Sequence, residues 1–223
     1  MASKSERLGR SVAVIGLGRF GKSLALELMS EGAEVLGIDA DERVVQSLAG
    51  RLTHVVSADS TSEEALRQLS VHEFQRVVVG IGTDIEASIL TTSVVVDMAV
   101  PHIWAKAISH SHARILSKVG AHHVVRPEHD MGTRVAHLVR GRLLDYIEFD
   151  DGYAMAKTTV PSCLWERTLA QSEARRLYGV TVVGVKRIGQ EFTYATPETV
   201  PRSGDLIIVS GARKDVEKFS AMA

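Results

Sequence analysis

The segment Val12-Ala-Val-Ile-Gly-Leu-Gly-Arg-Phe-Gly21 constrains the fold of this chain more than any other. An apolar strand runs into a turn with three glycines, and an apolar-periodic helix follows from Lys22 to Glu31. Each glycine has a separate geometric duty in such a turn. Gly16 permits the tight reversal, Gly18 lets backbone N–H groups approach a pyrophosphate, and Gly21 lets the helix pack close against its strand. The same spacing also occurs where glycines serve only close packing. What distinguishes this copy is Asp39, which closes a second apolar strand, Glu34-Val-Leu-Gly-Ile-Asp39, eighteen residues after Gly21. A carboxylate that binds ribose hydroxyls belongs at that place. The stretch predicts half of a nucleotide-binding α/β sheet.

Strand-like and helix-like segments alternate from Ser11 onward, the pattern of a parallel sheet wound with right-handed crossover helices. The expected strands lie near 11–16, 34–39, 53–57, 76–81, 102–106 and 122–125, and the helices near 20–31, 41–50, 62–70, 84–99 and 110–119. Six strands complete a Rossmann-type doubly wound parallel sheet. Glu63 and Glu64 fall in a first helical turn, where the macrodipole favours acids, and Thr61 is the expected cap. Pro101 opens the fifth strand, where a missing donor is tolerated. After Pro127 the texture changes. Met131, Val135, Leu138, Val139 and Leu143 recur at helical spacing, which predicts a helix near 130–145 that leaves the sheet. The residues that remain are too few for a second Rossmann half. They read as a strand over 153–160, a helix over 166–178, a strand over 181–187, a turn at Gly189, short strands over 191–195 and 206–210, and a terminal helix over 214–222. That is a small α+β C-terminal lobe.

The charge balance excludes several partners. With 26 Lys and Arg against 27 Asp and Glu among 223 residues, the formal net charge is −1, so no nucleic-acid face or polybasic membrane patch is expected. Residues Met1 to Arg10 are polar and of mixed charge, without the apolar core of a signal peptide, and no apolar run approaches the roughly eighteen residues of a spanning helix. A cytoplasmic protein is expected. The single cysteine, Cys163, excludes an internal disulfide and a thiolate metal cluster.

In an open doubly wound sheet, ligand contacts come from loops at the carboxyl ends of the strands. Arg19 sits inside the glycine turn, where its permanent cation meets a phosphate at the helix start. Asp39 and Asp41 offer acceptors to ribose hydroxyls, and an acid here disfavours a 2′-phosphate. Asp59-Ser60 ends the third strand, Ile81-Gly82-Thr83 the fourth and Lys106 the fifth, and Glu128 follows the sixth. A lysine and a carboxylate at this rim suit a polyphosphate and its metal ion, respectively. Simpler duties compete: Asp59 as a cap of the following helix, and Lys106 with Glu128 as a surface ion pair. His110, His112, His122 and His123 resemble a metal cluster only in composition. The first two sit two apart at a helix start, and the other two are adjacent in a strand, so neither pair shares a face. No serine lies in a nucleophile elbow.

Taken together, Gly16-Leu-Gly-Arg-Phe-Gly21, Ile38-Asp39, Ile81-Gly-Thr-Asp-Ile-Glu-Ala-Ser88, Ile103-Trp-Ala-Lys-Ala107 and Arg126-Pro-Glu-His-Asp-Met-Gly132 closely resemble the KtrA/TrkA family of cytoplasmic potassium-transport subunits. These are the regulator-of-potassium-conductance (RCK) proteins, and the likeness covers nearly the whole chain. The glycine turn is shared with many dehydrogenases, whereas its Arg-Phe-Gly combined with Pro-Glu-His-Asp-Met-Gly is much more specific. The resemblance implies an RCK_N nucleotide-binding domain over 9–130, a connecting helix over 131–146 and an RCK_C regulatory lobe over 147–223. It also implies ATP, ADP and sometimes NAD(H) as ligands. Carried over by position, their contacts are Arg19, Asp39, Ala40, Asp41, Asp59, Ser60, Ile81, Gly82, Thr83, Lys106, Ala107, Ile108, His112 and Glu128, with Gly16, Gly18, Phe20 and Gly21 forming the turn itself. By the same resemblance Glu128 lies near the γ-phosphate at a dimer interface and helps to bind Mg²⁺ or Ca²⁺.

The same likeness implies dimers assembled into a ring, commonly an octamer, docked at the inner face of the cell membrane on a KtrB/TrkH-like potassium-translocating subunit. Some relatives bind cyclic di-AMP in the C-lobe through an arginine with which Arg175 aligns. Ser172-Glu173-Ala174 departs from the aliphatic stretch usual before that arginine, and a glutamate there repels a diphosphate. The expected function is a non-enzymatic, nucleotide-responsive gating subunit of a potassium uptake system. The rivals are an NAD-dependent oxidoreductase, which needs a proton donor over the nicotinamide, and a structural adaptor with a degenerate nucleotide site.

Overall fold

The computed structural model describes residues 11–139 and 144–223, and the chain divides into two compact units between His129 and Asp130. The described part of the first unit alternates strands and helices: β1 (Ser11–Ile15), α1 (Arg19–Ser30), β2 (Glu34–Asp39), α2 (Glu42–Leu48), β3 (His54–Ser57), α3 (Glu63–Gln68), β4 (Arg76–Val79), α4 (Ile85–Asp97), β5 (His102–Lys106), α5 (His110–Val119) and β6 (His123–Val125). The strands are parallel and lie in the order β3-β2-β1-β4-β5-β6. Strand order reverses between β1 and β4, and a ligand crevice forms at such a reversal. The expected Rossmann-type sheet is present.

β1 is buried along its whole length, because a central parallel strand is covered on both faces and so reads as a continuous apolar run. Its side chains alternate between two cores. Val12 and Val14 pack with Leu17, Ala25, Val35 and Leu48 beneath α1 and α2. Ala13 and Ile15 pack with Ile38, Leu66, Val77, Val95 and Ile103 on the other face. Helix starts are set by local capping: the side chains of Asp41, Asp84 and Ser109 each accept a hydrogen bond from a backbone N–H of the first turn. Such a cap is worth about 1 kcal/mol. For α3 the cap is Ser62, which accepts from Ala65 N–H at 3.3 Å, and not Thr61. The Thr61 hydroxyl donates instead to Asp59 Oδ1.

Helix α6 (Pro127–Val139) carries the chain across the boundary between the units. A helix reaching residue 145 is not what forms. Residues 140–143 lie outside the described residues, and β7 (Asp145–Glu148) follows as a strand paired antiparallel with β8 (Tyr153–Thr159). With β9 (Val180–Lys186), β10 (Thr193–Tyr194) and β11 (Leu206–Ala212), they make an antiparallel sheet ordered β10-β9-β11-β8-β7. Alternate residues Ala154, Ala156 and Thr158 of β8 are buried, as expected for a sheet with one covered face. The helix expected over 166–178 is broken into α7 (Leu169–Ser172) and α8 (Ala174–Tyr178) by Glu173, whose φ is +47°. The terminal helix α9 (Arg213–Ser220) covers the sheet with Val216 and Phe219, and the Phe219 ring lies 5.4 Å from that of Tyr178.

Candidate functional site

A cleft of about 590 Å³ opens at the carboxyl ends of the parallel strands. Gly16, Gly18, Arg19 and Phe20 follow β1; Asp39 and Ala40 end β2; Asp59 and Ser60 follow β3; Ile81, Gly82 and Thr83 follow β4; and Lys106, Ile108 and Glu128 complete the wall. Most of the expected site residues are therefore brought together. Gly21, Asp41, Ala107 and His112 are not in the wall; the Asp41 carboxylate is taken by Arg43 and by the start of α2. Val44, Thr61, Gly80, Asp84 and Ala87 are in the wall and were not selected from the sequence. They stand beside selected residues in the same loops or on the helices those loops enter, a nearness the strand-end rule by itself signals.

Two of the turn glycines, Gly16 and Gly21, are required by the tight reversal and the close helix packing that their spacing suggests. Gly16 has φ +87°, and a Cβ there would lie 2.8 Å from Ile81 N. A Cβ on Gly21 would lie 1.9 Å from the Gly16 carbonyl oxygen, so α1 is seated directly on the turn. A Cβ on Gly18 would have nothing within 4 Å, leaving the turn open on its cleft side. Gly18 is the N-cap of α1 and gives no side-chain cap, and no acid stands in the first turn. The unpaired N–H groups and the positive end of the helix dipole thus border the cleft, the arrangement that binds anions.

The carboxylates have defined partners. Asp39 Oδ2 accepts from Leu17 N–H at 2.6 Å and Oδ1 from Asp41 N–H at 2.9 Å. Asp39 thereby ties the glycine turn to the end of β2, and each oxygen keeps acceptor capacity for a hydroxyl. Asp59 Oδ1 accepts from both Thr61 N–H and Thr61 Oγ1, which holds its carboxyl below its ordinary range. The competing duty of Asp59 as a helix cap is taken by Ser62. Arg43 pairs with Asp41 at 2.8 Å and lowers that carboxyl too.

Two cations, Arg19 and Lys106, line the same cleft. Arg19 is exposed at the first residue of α1. Lys106 is buried, its Nζ 2.6 Å from Glu128 Oε1 and 5.6 Å from the centroid of the Phe20 ring. That hydrogen bond from Lys106 holds the Glu128 carboxyl below its ordinary range, with the charge of Arg19 adding to the effect. The pair is half interior and half surface: the side chain of Lys106 is 10% exposed and that of Glu128 is 63% exposed.

His112 serves the site from behind. Only 2% of it is exposed, and its Nδ1 accepts from the Ile108 N–H at 3.4 Å. Burial pushes its pKa down, so the neutral imidazole that can accept is the form favoured. The other histidines have separate duties: His122 Nδ1 accepts from Ile103 N–H, and His123 stacks on Trp104 with centroids 4.1 Å apart. Among the described residues no three His, Cys, Asp or Glu converge where they could hold a metal ion. A metal held through Glu128 would need its remaining ligands from phosphate oxygens or water.

The second unit has its own cleft, of about 380 Å³, lined in part by Leu169, Glu173, Arg175, Thr181 and Pro197. Arg175 Nε donates to Thr181 Oγ1 at 3.1 Å. Glu173 is ion-paired with Arg176, which offsets the repulsion that its charge would offer an anion.

Comparison with known proteins matches these two units to two domains. Residues 12–127 match the TrkA-N domain and residues 159–223 the TrkA-C domain. Ktr system potassium uptake protein A of Bacillus subtilis (strain 168) is 36% identical over 94% of this chain and 95% of its own length. Protein C of the same organism's Ktr system is 38% identical over 94% of this chain and 96% of its own. Among solved structures, the GsuK RCK domain superposes with a TM-score of 0.66 at 18% identity, covering 95% of this chain and 47% of the other. This chain thus spans about half the length of that solved chain, while it matches the curated Ktr proteins nearly end to end. The TrkA-N domain of the inner membrane protein ybaL from Escherichia coli superposes on 58% of this chain with a TM-score of 0.54 at 18% identity. On the sequence matches, the chain belongs to the KtrA/TrkA family and is homologous to the Ktr potassium uptake proteins, with a TrkA-N domain followed by a TrkA-C domain.

Proposed function

We propose that this chain is the nucleotide-binding gating subunit of a potassium uptake system, a regulator without an enzymatic step of its own. One observation carries the reading: the uncapped N-terminus of α1 borders a cleft that has Arg19 and Lys106 at its cationic end and Asp39 at the place of a ribose-binding carboxylate. That is the chemistry of a nucleoside polyphosphate. ATP and ADP are the proposed ligands, bound by the residues of the cleft wall. NAD(H) belongs in the same test, because a structure described as the GsuK channel bound to NAD shares the fold with a TM-score of 0.52. Mg²⁺ or Ca²⁺ would enter with ATP, held by Glu128 and phosphate oxygens, and would relieve the repulsion between charged groups.

In this reading the protein is cytoplasmic. Among the described residues no helix is long and apolar enough to cross a membrane, so the potassium pathway would belong to a separate KtrB/TrkH-like membrane subunit. Copies of this chain would form dimers and then an octameric ring whose shape depends on the nucleotide bound. Such gating requires that the two ring states differ in affinity for ATP and ADP. Arg19 supplies a source of the difference, since its charge can favour a γ-phosphate that ADP lacks. The second cleft, with Arg175, is the proposed place for cyclic di-AMP.

The test is calorimetric titration of ATP, ADP, NADH and cyclic di-AMP into the purified protein, followed by potassium flux into vesicles holding the membrane subunit. Arg19→Ala should weaken ATP more than ADP, by about 1.5–3 kcal/mol for a lost charge-assisted contact. Equal losses would show that Arg19 touches only shared phosphates. Absence of nucleotide binding would sink the reading, and measured hydride transfer would favour the oxidoreductase rival.

A further inference from the structure

The pairing of Lys106 and Glu128 is lopsided. The ammonium lies in a slot between the Phe20 ring and Gly82, where a Cβ added to Gly82 would stand 3.2 Å from Nζ. A cation enclosed in this way is costly without a counter-charge. Glu128 supplies it from the outer side, reaching in from the first turn of α6. The lysine is enclosed in its slot, whereas the carboxylate is exposed. Any phosphate that approaches Lys106 must therefore share or take it from a carboxylate tethered at the same rim, and a tethered competitor acts at a high effective concentration.

We propose that Glu128 occupies Lys106 as an internal competitor, so that a phosphate must displace or share the carboxylate and the cleft holds polyphosphates less tightly than it would with the lysine unpaired, while ligands without charge are unaffected. The inference rests on the nucleotide reading above and adds a competitive role for Glu128 in metal-free conditions. A carboxylate offers one negative charge. A nucleoside di- or triphosphate offers several, together with oxygens that also reach the N–H groups of α1. An uncharged nucleoside offers nothing to Lys106 and leaves the pair intact. Replacing the carboxylate by an amide of the same shape leaves Lys106 short of charge and readier for a phosphate. Glu128→Gln therefore tightens polyphosphate binding, the opposite of what loss of a simple ligand contact does.

The experiment measures the affinities of adenosine, ADP and ATP, without divalent cation and with chelator present, for the wild-type chain, Glu128→Gln, Lys106→Gln and the double variant. Glu128→Gln should bind ADP and ATP about fivefold more tightly, the scale of a partly exposed ion pair removed as competitor, with adenosine unchanged. In the Lys106→Gln background the same change should gain nothing, because the competition is for that lysine. If the gain persists there, Glu128 repels anions through space and the inference is wrong. If Glu128→Gln binds ADP and ATP no more tightly than wild type, the inference falls while the nucleotide reading stands. If neither wild type nor Glu128→Gln binds ADP or ATP, the nucleotide reading falls and takes this inference with it. Thermal melting of each variant confirms that the fold is retained, and Lys106→Met serves in place of Lys106→Gln if the latter fails to fold.

Discussion

Gly21→Ala and Gly18→Ala, three residues apart in one turn, should fail in different ways. Gly18 is the N-cap of α1 and Gly21 lies in its first turn, where alanine is intrinsically the better helix former by about 0.5–1 kcal/mol. On propensity alone, Gly21→Ala should stabilise the protein. The geometry reverses that sign. A Cβ at Gly21 would sit 1.9 Å from the Gly16 carbonyl oxygen, against ordinary contacts of 3.4–4 Å. The obstacle is backbone and cannot rotate away, so α1 and the turn must separate by about 1.5 Å in a close-packed interior. Overpacking of this kind costs about 1–3 kcal/mol and sometimes more, which exceeds the propensity gain. The same movement displaces the N–H groups that border the cleft, so nucleotide affinity should fall with stability. At Gly18 a Cβ meets nothing within 4 Å and φ is −61°. Gly18→Ala should therefore leave the melting temperature nearly unchanged and weaken only the ligand that approaches the open side of the turn. Denaturant unfolding and nucleotide titration of both variants make the comparison. A Gly21→Ala protein as stable as wild type would refute the close-packing argument, and a Gly18→Ala protein with full affinity would refute the approach of a phosphate at that point.

Other outcomes follow from single contacts. Ser109→Ala removes the side chain that accepts from His112 N–H at the start of α5 and should cost about 1 kcal/mol in chemical denaturation. Phe219→Ala empties the place of a side chain that is 1% exposed in the core of the second unit; it should destabilise that unit by about 3–5 kcal/mol, with binding in the first cleft retained. Tyr146 is buried and its pKa is pushed up to about 12, first by burial and then by the charge of Glu148. Its neutral form is the one the fold accommodates, so its contribution to stability is present below the unfolded value of about 10 and is lost as pH rises from there through the folded value. Tyr146→Phe should flatten that alkaline decline in melting temperature, and an identical decline in both proteins would place the cause elsewhere.

The sequence by itself determined the first unit almost completely. β1 and β2 flank a glycine turn whose residue types are dictated by backbone geometry, and the later strands are short, largely apolar runs separated by helical segments. The ligand-facing loops could be named because, in a parallel sheet, the strand ends all lie on one rim. Local physics supplied these signals. It also supplied the lobe's main strands, β8, β9 and β11, as short runs rich in apolar residues, of which β8 alternates buried and less buried residues along its length.

What tertiary structure decided has the opposite character. β7 has four residues, of which only Tyr146 is buried, too short a pattern to compete with the helical spacing just before it; pairing with β8 makes it a strand. The break at Glu173 carries no glycine or proline to announce it, and positive φ at a glutamate is tolerated only where surrounding packing holds it. His112 stood in the site by position, yet packing turns it away from the cleft wall and onto the Ile108 N–H. Likewise, a lysine and a glutamate twenty-two residues apart are only two charges on one rim until the fold encloses one and leaves the other in solvent. Residue type fixes which charges a chain has, but burial, which sets their partners and their strength, is a property of atoms distant in sequence and near in space.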